Sequence, residues 1–382
     1  MIKIKFENLL VSIVVSVVVF FNTISTTMLD RTFFQVKVNF LFLVVLLLGL
    51  RFLYKMRVSY KYLILSILLL LSGGLVYFQT NRLNFLVYSM LLVLLVNVDM
   101  KVVLRNYVVV AGILVVGVFL LSLVGMVPNL QYNRAGVIRN SFGFIYPTDF
   151  ASHCFYLFLA VSYLLKDKFI WTRSLFGVLL SAFIIKYCDA RLNALSILLA
   201  TVIFIYFYYS NGKKIKIFAL LPYSAVVFAS IVTYLSYKFS WSNPFLVSIN
   251  KLITGRLALG RNAFDTFGVH LFGTRNVQFI GSGGKTESVI GYNYVDSSYV
   301  QMLFTYGIVP VVLLLIIYVV ASRKQYKEGQ YLLVAILSLI AFNCMIEAFW
   351  FVPTYNIFMF LLFTTNTFSE KESNDSVTLN IT

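Results

Sequence analysis

Long apolar runs joined by short basic turns constrain this chain more than any other feature of its sequence. Hydrophobic residues make up 60% of its 382 residues, and charged residues make up only 12%. Because soluble proteins have about 25% charged residues, a chain of this composition needs lipid as its solvent. A helix crosses a bilayer with about 20 mostly apolar residues. Segments of this kind lie at 8–28, 34–51, 62–80, 83–98, 106–127, 148–165, 169–187, 190–210, 217–236, 297–321, 330–347 and 349–366.

These runs predict an all-α polytopic integral membrane protein with about 12 transmembrane helices. The division between the last two segments, 330–347 and 349–366, depends only on Glu347 and Pro353, so eleven spans are an alternative. We expect residues 1–366 to form a single transmembrane helical domain. Its one large loop, 237–296, is predicted to be extracellular and to contain short amphipathic helices. The polar stretch 367–382 is predicted to be a disordered cytoplasmic tail.

The lysines and arginines predict the orientation of the chain. Cytoplasmic loops carry an excess of these residues, and most basic residues of the short loops fall inside when the N-terminus is placed there. Both termini are then cytoplasmic, and 237–296 lies outside the cell. Lys3 and Lys5 precede an apolar run as in a signal peptide, but the many later spans favour an uncleaved first span. The basic residues that lie outside against this bias are Arg31, Lys37, Arg82, Arg134, Arg139, Lys186 and Arg191.

The formal net charge of +17 would indicate a nucleic-acid partner in a soluble protein. Here the basic residues lie in short loops and set the topology, so we expect no nucleic acid as a partner. The three cysteines lack metal-ligand spacing, and Gly284-Lys285-Thr286 matches only the end of a P-loop. We therefore expect no metal and no cofactor, and a substrate that arrives already activated.

Arginines near the outer ends of the predicted spans are candidates for binding a phosphate group. Arg134 and Arg139 lie in the polar loop 128–147, and Arg191 closely follows Asp189 in a turn between two spans. A guanidinium group stays charged and donates hydrogen bonds in a planar fork that suits phosphate oxygens. The alternative for Arg191 is a simple ion pair with Asp189 that closes the turn.

The long loop adds two more arginines. The apolar spacing of 252–267 is typical of an amphipathic helix that lies on the membrane surface. Arg256 has no acidic neighbour at helical spacing, so we predict that its charge is available to an anion. Arg261 precedes Asp265 by four residues, and these two could merely pair with each other.

Candidate acid–base residues are Asp296, His270 and His153, with Glu347 as a weaker candidate. A carboxylate or imidazole whose pKa is tuned by burial could remove a proton from an attacking hydroxyl. Asp296 could instead cap a helix, and His153 could be packed between helices. The aromatic candidates for stacking on a sugar ring are Tyr292 and Tyr294.

Short motifs stand in the outer turns and in the long loop. They are Tyr146-Pro147-Thr148-Asp149-Phe150, Asp189-Ala190-Arg191-Leu192-Asn193-Ala194, Thr254-Gly255-Arg256-Leu257, Leu271-Phe272-Gly273, Val295-Asp296-Ser297-Ser298-Tyr299 and Tyr306-Gly307-Ile308. Together they resemble the Wzy-type polysaccharide polymerases and the related O-antigen ligases. The motifs cover residues 128–310, and the pattern of spans extends the resemblance to most of the chain.

The resemblance implies a metal-independent glycosyltransferase that moves a growing glycan from undecaprenyl diphosphate to the next lipid-linked repeat unit, on the outer face of the cytoplasmic membrane. It implies a diphosphate site among Arg134, Arg139, Arg191, Arg256 and Arg261. Their spacing departs from the family pattern, so the choice among them stays open. The implied partners are lipid-linked repeat units, membrane lipids, a flippase and chain-length regulator proteins. Many Ile, Phe, Lys and Asn residues are typical of a low-GC Gram-positive bacterium, which favours capsule or exopolysaccharide as the product.

Two other functions are alternatives. One is an O-antigen-ligase-like transferase that attaches glycans to a different acceptor. The other is a flippase or transporter for lipid-linked oligosaccharides, which is expected to hold its basic residues in a central cavity and to lack a large outer loop. The peripheral charges and the loop 237–296 favour the enzyme over the flippase.

Overall fold

A computed structural model describes residues 6–29, 38–49, 60–134, 136–210, 216–286 and 289–365, and these are mostly helical. The helices are α1 (Phe6–Ile24), α2 (Val38–Leu46), α3 (Tyr60–Thr80), α4 (Asn84–Leu94), α5 (Met100–Leu123), α6 (Pro147–Leu164), α7 (Ile170–Cys188), α8 (Arg191–Tyr209), α9 (Ser224–Lys238), α10 (Pro244–Leu252), α11 (Arg256–Phe267), α12 (Ser298–Thr305), α13 (Ile308–Lys327), α14 (Tyr331–Asn343) and α15 (Ile357–Phe360). Two 3-10 turns, Lys216–Ala219 and Leu221–Tyr223, precede α9.

Six of the described helices are long and apolar enough to cross a membrane: α1, α3, α5, α7, α8 and α13. The described helices α4 and α14 are apolar but shorter. A mostly helical protein with membrane-length apolar helices is therefore confirmed. The predicted tail 367–382 and the basic residues Lys3, Lys5, Arg31 and Lys37 lie outside the described residues.

A β-hairpin interrupts the predicted all-α architecture between α5 and α6. Strands β1 (Gln131–Arg134) and β2 (Val137–Asn140) pair antiparallel, with Tyr132 opposite Arg139. The tight connection ends at Gly136, whose φ of +83° favours glycine. The Gly136 amide donates a 3.0 Å hydrogen bond to the Asn133 side chain. The polar loop predicted at 128–147 is thus an ordered ribbon that presents two arginines.

The predicted span 297–321 is wrong as one helix, because it is broken at Gly307 into α12 and α13. Gly307 has a φ of +93°. The first free amides of α13 donate to the long loop: Ile308 N to the His270 carbonyl at 3.0 Å and Val309 N to the Leu271 carbonyl at 3.1 Å. The loop therefore replaces the turn of helix that the break removes.

The predicted span 349–366 is also wrong as a continuous helix, since its only described helix is the four-residue α15. Pro353 lacks a backbone donor, so it disfavours a helix through this segment. The segment is nevertheless buried, with Trp350 and Tyr355 in the core. The Tyr107 hydroxyl donates to the Tyr355 carbonyl at 3.0 Å, which satisfies one of the main-chain groups that no helix pairs.

The packing of the helices brings the ends of several of them close to the hairpin. α7 and α8 form an antiparallel pair, α6 packs against α5 and α8, and α9 packs against α11. As a result, the start of α6, the junction of α7 and α8, and the start of α11 lie at the same end of the bundle. Residues 237–296 include the two short helices α10 and α11.

Substituting Gly307→Ala is expected to destabilise the protein. A Cβ atom there would lie 2.3 Å from Gly273 N and 2.4 Å from the Leu271 carbonyl oxygen, and both are backbone atoms that cannot rotate away. Strain of this kind costs about 1–3 kcal/mol, so thermal unfolding in detergent should begin at a lower temperature. The control is Gly112→Ala in α5, where a Cβ meets nothing within 4 Å. Equal unfolding temperatures for both variants would contradict the role of this contact.

Candidate functional site

A cavity of about 290 Å³ opens where these helix ends meet. It lies between the hairpin, the first turn of α6, the start of α11, the loop before α12 and the turns after α14. Its polar and aromatic lining comes from residues far apart in sequence. Those residues include Tyr132, Arg134, Arg139, Tyr146, Asp149, Thr254, Arg256, Tyr292, Tyr294, Asp296, Glu347 and Phe349.

The end of α7 holds Arg134 in place. Asp189 ends that helix in the left-handed conformation, with φ of 45°. Its carboxylate pairs with the Arg134 guanidinium, and its carbonyl accepts a second bond from Arg134 Nη2 at 2.9 Å. Arg191 Nε donates to the same carboxylate at 2.8 Å. Burial would raise the pKa of Asp189, but hydrogen bonds from Arg134 and Arg191 outweigh burial and lower it.

Arg139 is the least engaged arginine in the cavity. Its Nε donates to the Cys188 carbonyl at 2.9 Å, at the end of α7. Among the described residues, it has no salt bridge, and its two terminal amino groups have no hydrogen-bond partner. Burial lowers the pKa of Arg139 to about 10, and the neighbouring Arg134 lowers it further in the same direction. Arg139 is still a cation at neutral pH, and it has two donors to spare.

Arg256 is paired in the structure, so the prediction that its charge is available to an anion is wrong. Its Nε lies 3.0 Å from Asp296 Oδ2, and its Nη2 lies 3.8 Å from Glu347 Oε1. Nη1 donates to Thr254 at 3.2 Å. Burial would lower the pKa of Arg256, but Asp296 and Glu347 outweigh it and raise the pKa. These partners come from far along the chain, where helical spacing cannot reveal them.

Three carboxyl groups line the cavity in different settings. Asp149 accepts a bond from the Tyr146 amide at 3.2 Å and closes the first turn of α6. Asp296 accepts from Arg256. Glu347 is buried in the turns after α14, and burial raises its pKa to about 8, against the opposing effect of Arg256.

Tyrosine rings form the rest of the wall. The Tyr146 hydroxyl accepts a 2.7 Å bond from the Gly283 amide, which ties the glycine-rich turn to the start of α6. The rings of Tyr132 and Tyr146 lie 6.0 Å apart. Burial raises the pKa of both Tyr292 and Tyr294, so these side chains are neutral phenols. The wall therefore offers flat aromatic faces and hydroxyl groups at the same place.

Four of the predicted site residues do not line this cavity. Arg191 lines a smaller cavity of about 70 Å³ that shares Arg134, Arg139 and Arg256 with the larger one. Its side chain is 71% exposed and bound to Asp189, the alternative foreseen for that turn. Arg261 lies 2.7 Å from Asp265 and donates to the Tyr237 carbonyl, away from the other arginines.

Neither histidine faces the cavity. His270 is exposed in the loop, where its carbonyl caps α13. His153 is buried on α6, with its Nε2 3.0 Å from Thr26 Oγ1 and its ring stacked 4.3 Å from that of Tyr355. The packed environment given as the alternative for His153 is the one observed.

From the sequence, Glu347 ranked below the other candidate bases, and Asp189, Tyr132 and Tyr146 were not predicted as site residues. An acidic residue at the end of an otherwise apolar run was the available signal for Glu347. Tyr146 stands in one of the short motifs that carry the resemblance, whereas nothing marks Tyr132, since tyrosine is abundant in this chain. Among the described residues, no cluster of potential metal ligands occurs. Comparison with protein families, curated proteins and solved structures finds no match to this chain.

Substituting Arg256→Ala should destabilise the protein in a pH-dependent way. Removing one partner of a fully buried ion pair costs about 3–5 kcal/mol, and we expect a smaller loss here because the Arg256 and Asp296 side chains are 16% and 28% exposed. Burial raises the pKa of Glu347 to about 8. The loss should therefore be largest above pH 8, where Glu347 is ionised without its cation, and should shrink as the pH falls and Glu347 takes up a proton. Thermal unfolding in detergent between pH 5 and pH 9 measures this difference.

The matched control is Arg261→Ala, since its ion pair with Asp265 is exposed. Pairs of that kind contribute about 0–1 kcal/mol. A loss at Arg256 that equals the loss at Arg261, or that does not vary with pH, would contradict the buried triad.

Proposed function

We propose that this protein is a membrane glycosyltransferase of the polysaccharide polymerase type. It transfers a growing glycan from undecaprenyl diphosphate to the next lipid-linked repeat unit, on the outer face of the cytoplasmic membrane. The observation that carries the proposal is Arg139, a half-buried cation with two unengaged donors in a cavity walled by tyrosines. The resemblance to Wzy-type polymerases agrees with it.

A diphosphate leaving group suits the charges of the cavity. Arg134 shares the carboxylate of Asp189 with Arg191, and Arg256 is paired with Asp296 and faces Glu347. Arg139 has no such partner among the described residues, so a bound anion supplies its missing counter-charge. As the bond to the sugar breaks, negative charge grows on the diphosphate, and a fixed guanidinium group stabilises that charge.

Apolar side chains beside the cavity support a lipid as the carrier. On and next to α10, Trp241, Phe245 and Leu252 are 72%, 68% and 81% exposed. Exposed residues of this kind favour a helix that rests on a membrane surface. Leu252 and Ile253 also line the smaller cavity that shares the arginines. An isoprenoid chain can therefore approach from the lipid while its diphosphate reaches Arg139.

The tyrosine wall supports a glycan as the group transferred. Sugar rings present apolar faces that stack on aromatic rings, with hydroxyl groups at the ring edge. Tyr292 and Tyr294 line the same cavity as the hairpin arginines. The diphosphate of a lipid-linked glycan thus suits Arg139, and its sugar rings suit the tyrosine side chains of the same cavity.

Substituting Arg139→Ala should abolish long polymer while leaving the protein in the membrane. Loss of one donor that stabilises transition-state charge costs about 10²–10³-fold in rate. Arg139→Lys should retain part of the activity, since lysine keeps the charge but loses the planar fork. The surface polysaccharide and the lipid-linked intermediates of the source bacterium are sized for each variant.

The matched control is Arg261→Ala, which should leave chain length unchanged because Arg261 lies outside the cavity. Single lipid-linked repeat units that accumulate outside the cell support a polymerase. Units trapped on the inside would point to a flippase, and normal chain length in Arg139→Ala would overturn the proposal.

The orientation in the membrane has its own test. Lys285→Cys places a thiol at an exposed position of the loop 237–296, and Lys168→Cys places one at the opposite end of the bundle. Of the native cysteines, Cys188 and Cys344 are buried and Cys154 is partly buried, so labelling of the wild type sets the background. A membrane-impermeant maleimide should label only Lys285→Cys in intact cells. If only Lys168→Cys is labelled, the protein has the opposite orientation in the membrane, which contradicts a reaction on the outer face.

A further inference from the structure

Glu347 is the one carboxyl group lining the cavity that accepts no hydrogen bond from any described residue. Asp149 is engaged by the Tyr146 amide and Asp296 by Arg256. The nearest cationic atom to Glu347 is Arg256 Nη2, at 3.8 Å, beyond hydrogen-bonding distance. Its carboxyl oxygens are therefore available to a ligand in the cavity.

The main chain of Glu347 is fixed, although its carboxyl group is not. Its carbonyl accepts bonds from the Ser298 amide at 3.2 Å and the Ser298 hydroxyl at 2.5 Å. The same hydroxyl accepts from the Trp350 amide at 3.0 Å. These bonds from α12 hold the carbonyl of Glu347 and the turn that follows it, and the Glu347 side chain lines the cavity from there.

We propose that Glu347 is the general base of the transfer reaction, an inference that rests on the proposed function. The acceptor hydroxyl oxygen forms a bond to the anomeric carbon of the donor glycan. The bond from that carbon to the diphosphate oxygen breaks, and its electron pair stays on the diphosphate beside Arg139. The hydroxyl proton moves to the Glu347 carboxylate and then to water.

Asp296 then has a different task from the base considered in the sequence. It holds Arg256 through the 3.0 Å contact to Nε, and Arg256 in turn faces Glu347. Asp296 is thus a positioning residue. Glu347 lies beyond hydrogen-bonding distance of Arg256, so it can take up a proton without losing a hydrogen bond.

The charged surroundings of Glu347 predict the pH dependence of the reaction. Burial raises its pKa to about 8, Arg256 and Arg139 act in the opposite direction, and Asp296 and Asp149 act in the same direction as burial. Tyr156 and Cys344 are the other titratable groups that sense its charge. A base works only when deprotonated, so the rate should rise as the pH increases to about 8 and level off above it.

The test uses the full chain in liposomes, supplied with lipid-linked repeat units extracted from cells that lack the protein. Glu347→Gln should lower kcat by about 10²–10⁴-fold and remove the rise with pH. KM for the donor should stay the same or fall, since the substitution removes a negative charge near the arginines. Glu328→Gln is the control. Glu328 forms an exposed ion pair with Lys324 at the end of α13, so this variant should have the kcat and the pH dependence of the wild type.

If Glu347→Gln does not reach the membrane, Glu347→Asp tests the same role, because it keeps the carboxyl group. A lower kcat, together with a rise in rate that occurs at a different pH, supports Glu347 as the general base. A kcat and a pH dependence equal to those of the wild type, in either variant, overturn that role. If Arg139→Ala is inactive while Glu347→Gln is fully active, the base assignment fails and the proposed function stands; if both are fully active, the proposed function fails as well.

Discussion

The architecture of the cavity depends on the partly buried guanidinium group of Arg256. It lies at the start of α11 and contacts Thr254, Asp296 and Glu347, which belong to separate stretches of the chain. Carboxylates in a poorly solvated site are costly without a cation close by, so each acidic side chain needs this arginine. The interaction therefore fastens the long loop and the turns after α14 to each other. Together with the Gly283–Tyr146 bond and the bonds from α13 to His270 and Leu271, it makes the loop a wall of the cavity.

A second anchor lies at the end of α7. The last carbonyls of a helix carry partial negative charge, and here the Cys188 and Asp189 carbonyls receive Arg139 and Arg134 from the hairpin. The Asp189 side chain adds a full charge for Arg134 but leaves Arg139 with only a carbonyl. Two arginines on adjacent strands thus have unequal roles: one secures the hairpin, and the other is available to a ligand.

Hydrophobic runs predicted α3, α7 and α8 well, because lipid-facing helices need continuous apolar sequence. They failed at Gly307 and near Pro353, where distant groups satisfy main-chain hydrogen bonds that a helix would otherwise make. These groups are the His270 and Leu271 carbonyls at Gly307 and the Tyr107 hydroxyl near Pro353. The sequence also grouped Arg134, Arg139, Tyr292, Tyr294 and Asp296 at one end of the bundle, where the structure brings them into one cavity. It could not pair Arg256 with its carboxylates, since those contacts are set by tertiary packing and not by any local period. Placing His153 and His270 in the site rested on chemical type alone, which says nothing about where a side chain points.

The position of Glu347 so late in the chain has a consequence for biosynthesis. The hairpin arginines leave the ribosome roughly 200 residues earlier, which at about 5–20 residues per second is a delay of about 10–40 s. During that interval Asp189, which pairs with Arg134, and then Arg256 and Asp296 are made, while Glu347 is still missing. The cavity therefore closes only when the last of its walls is synthesised. A chain that stops before residue 347 lacks one of the two carboxyl groups that face Arg256.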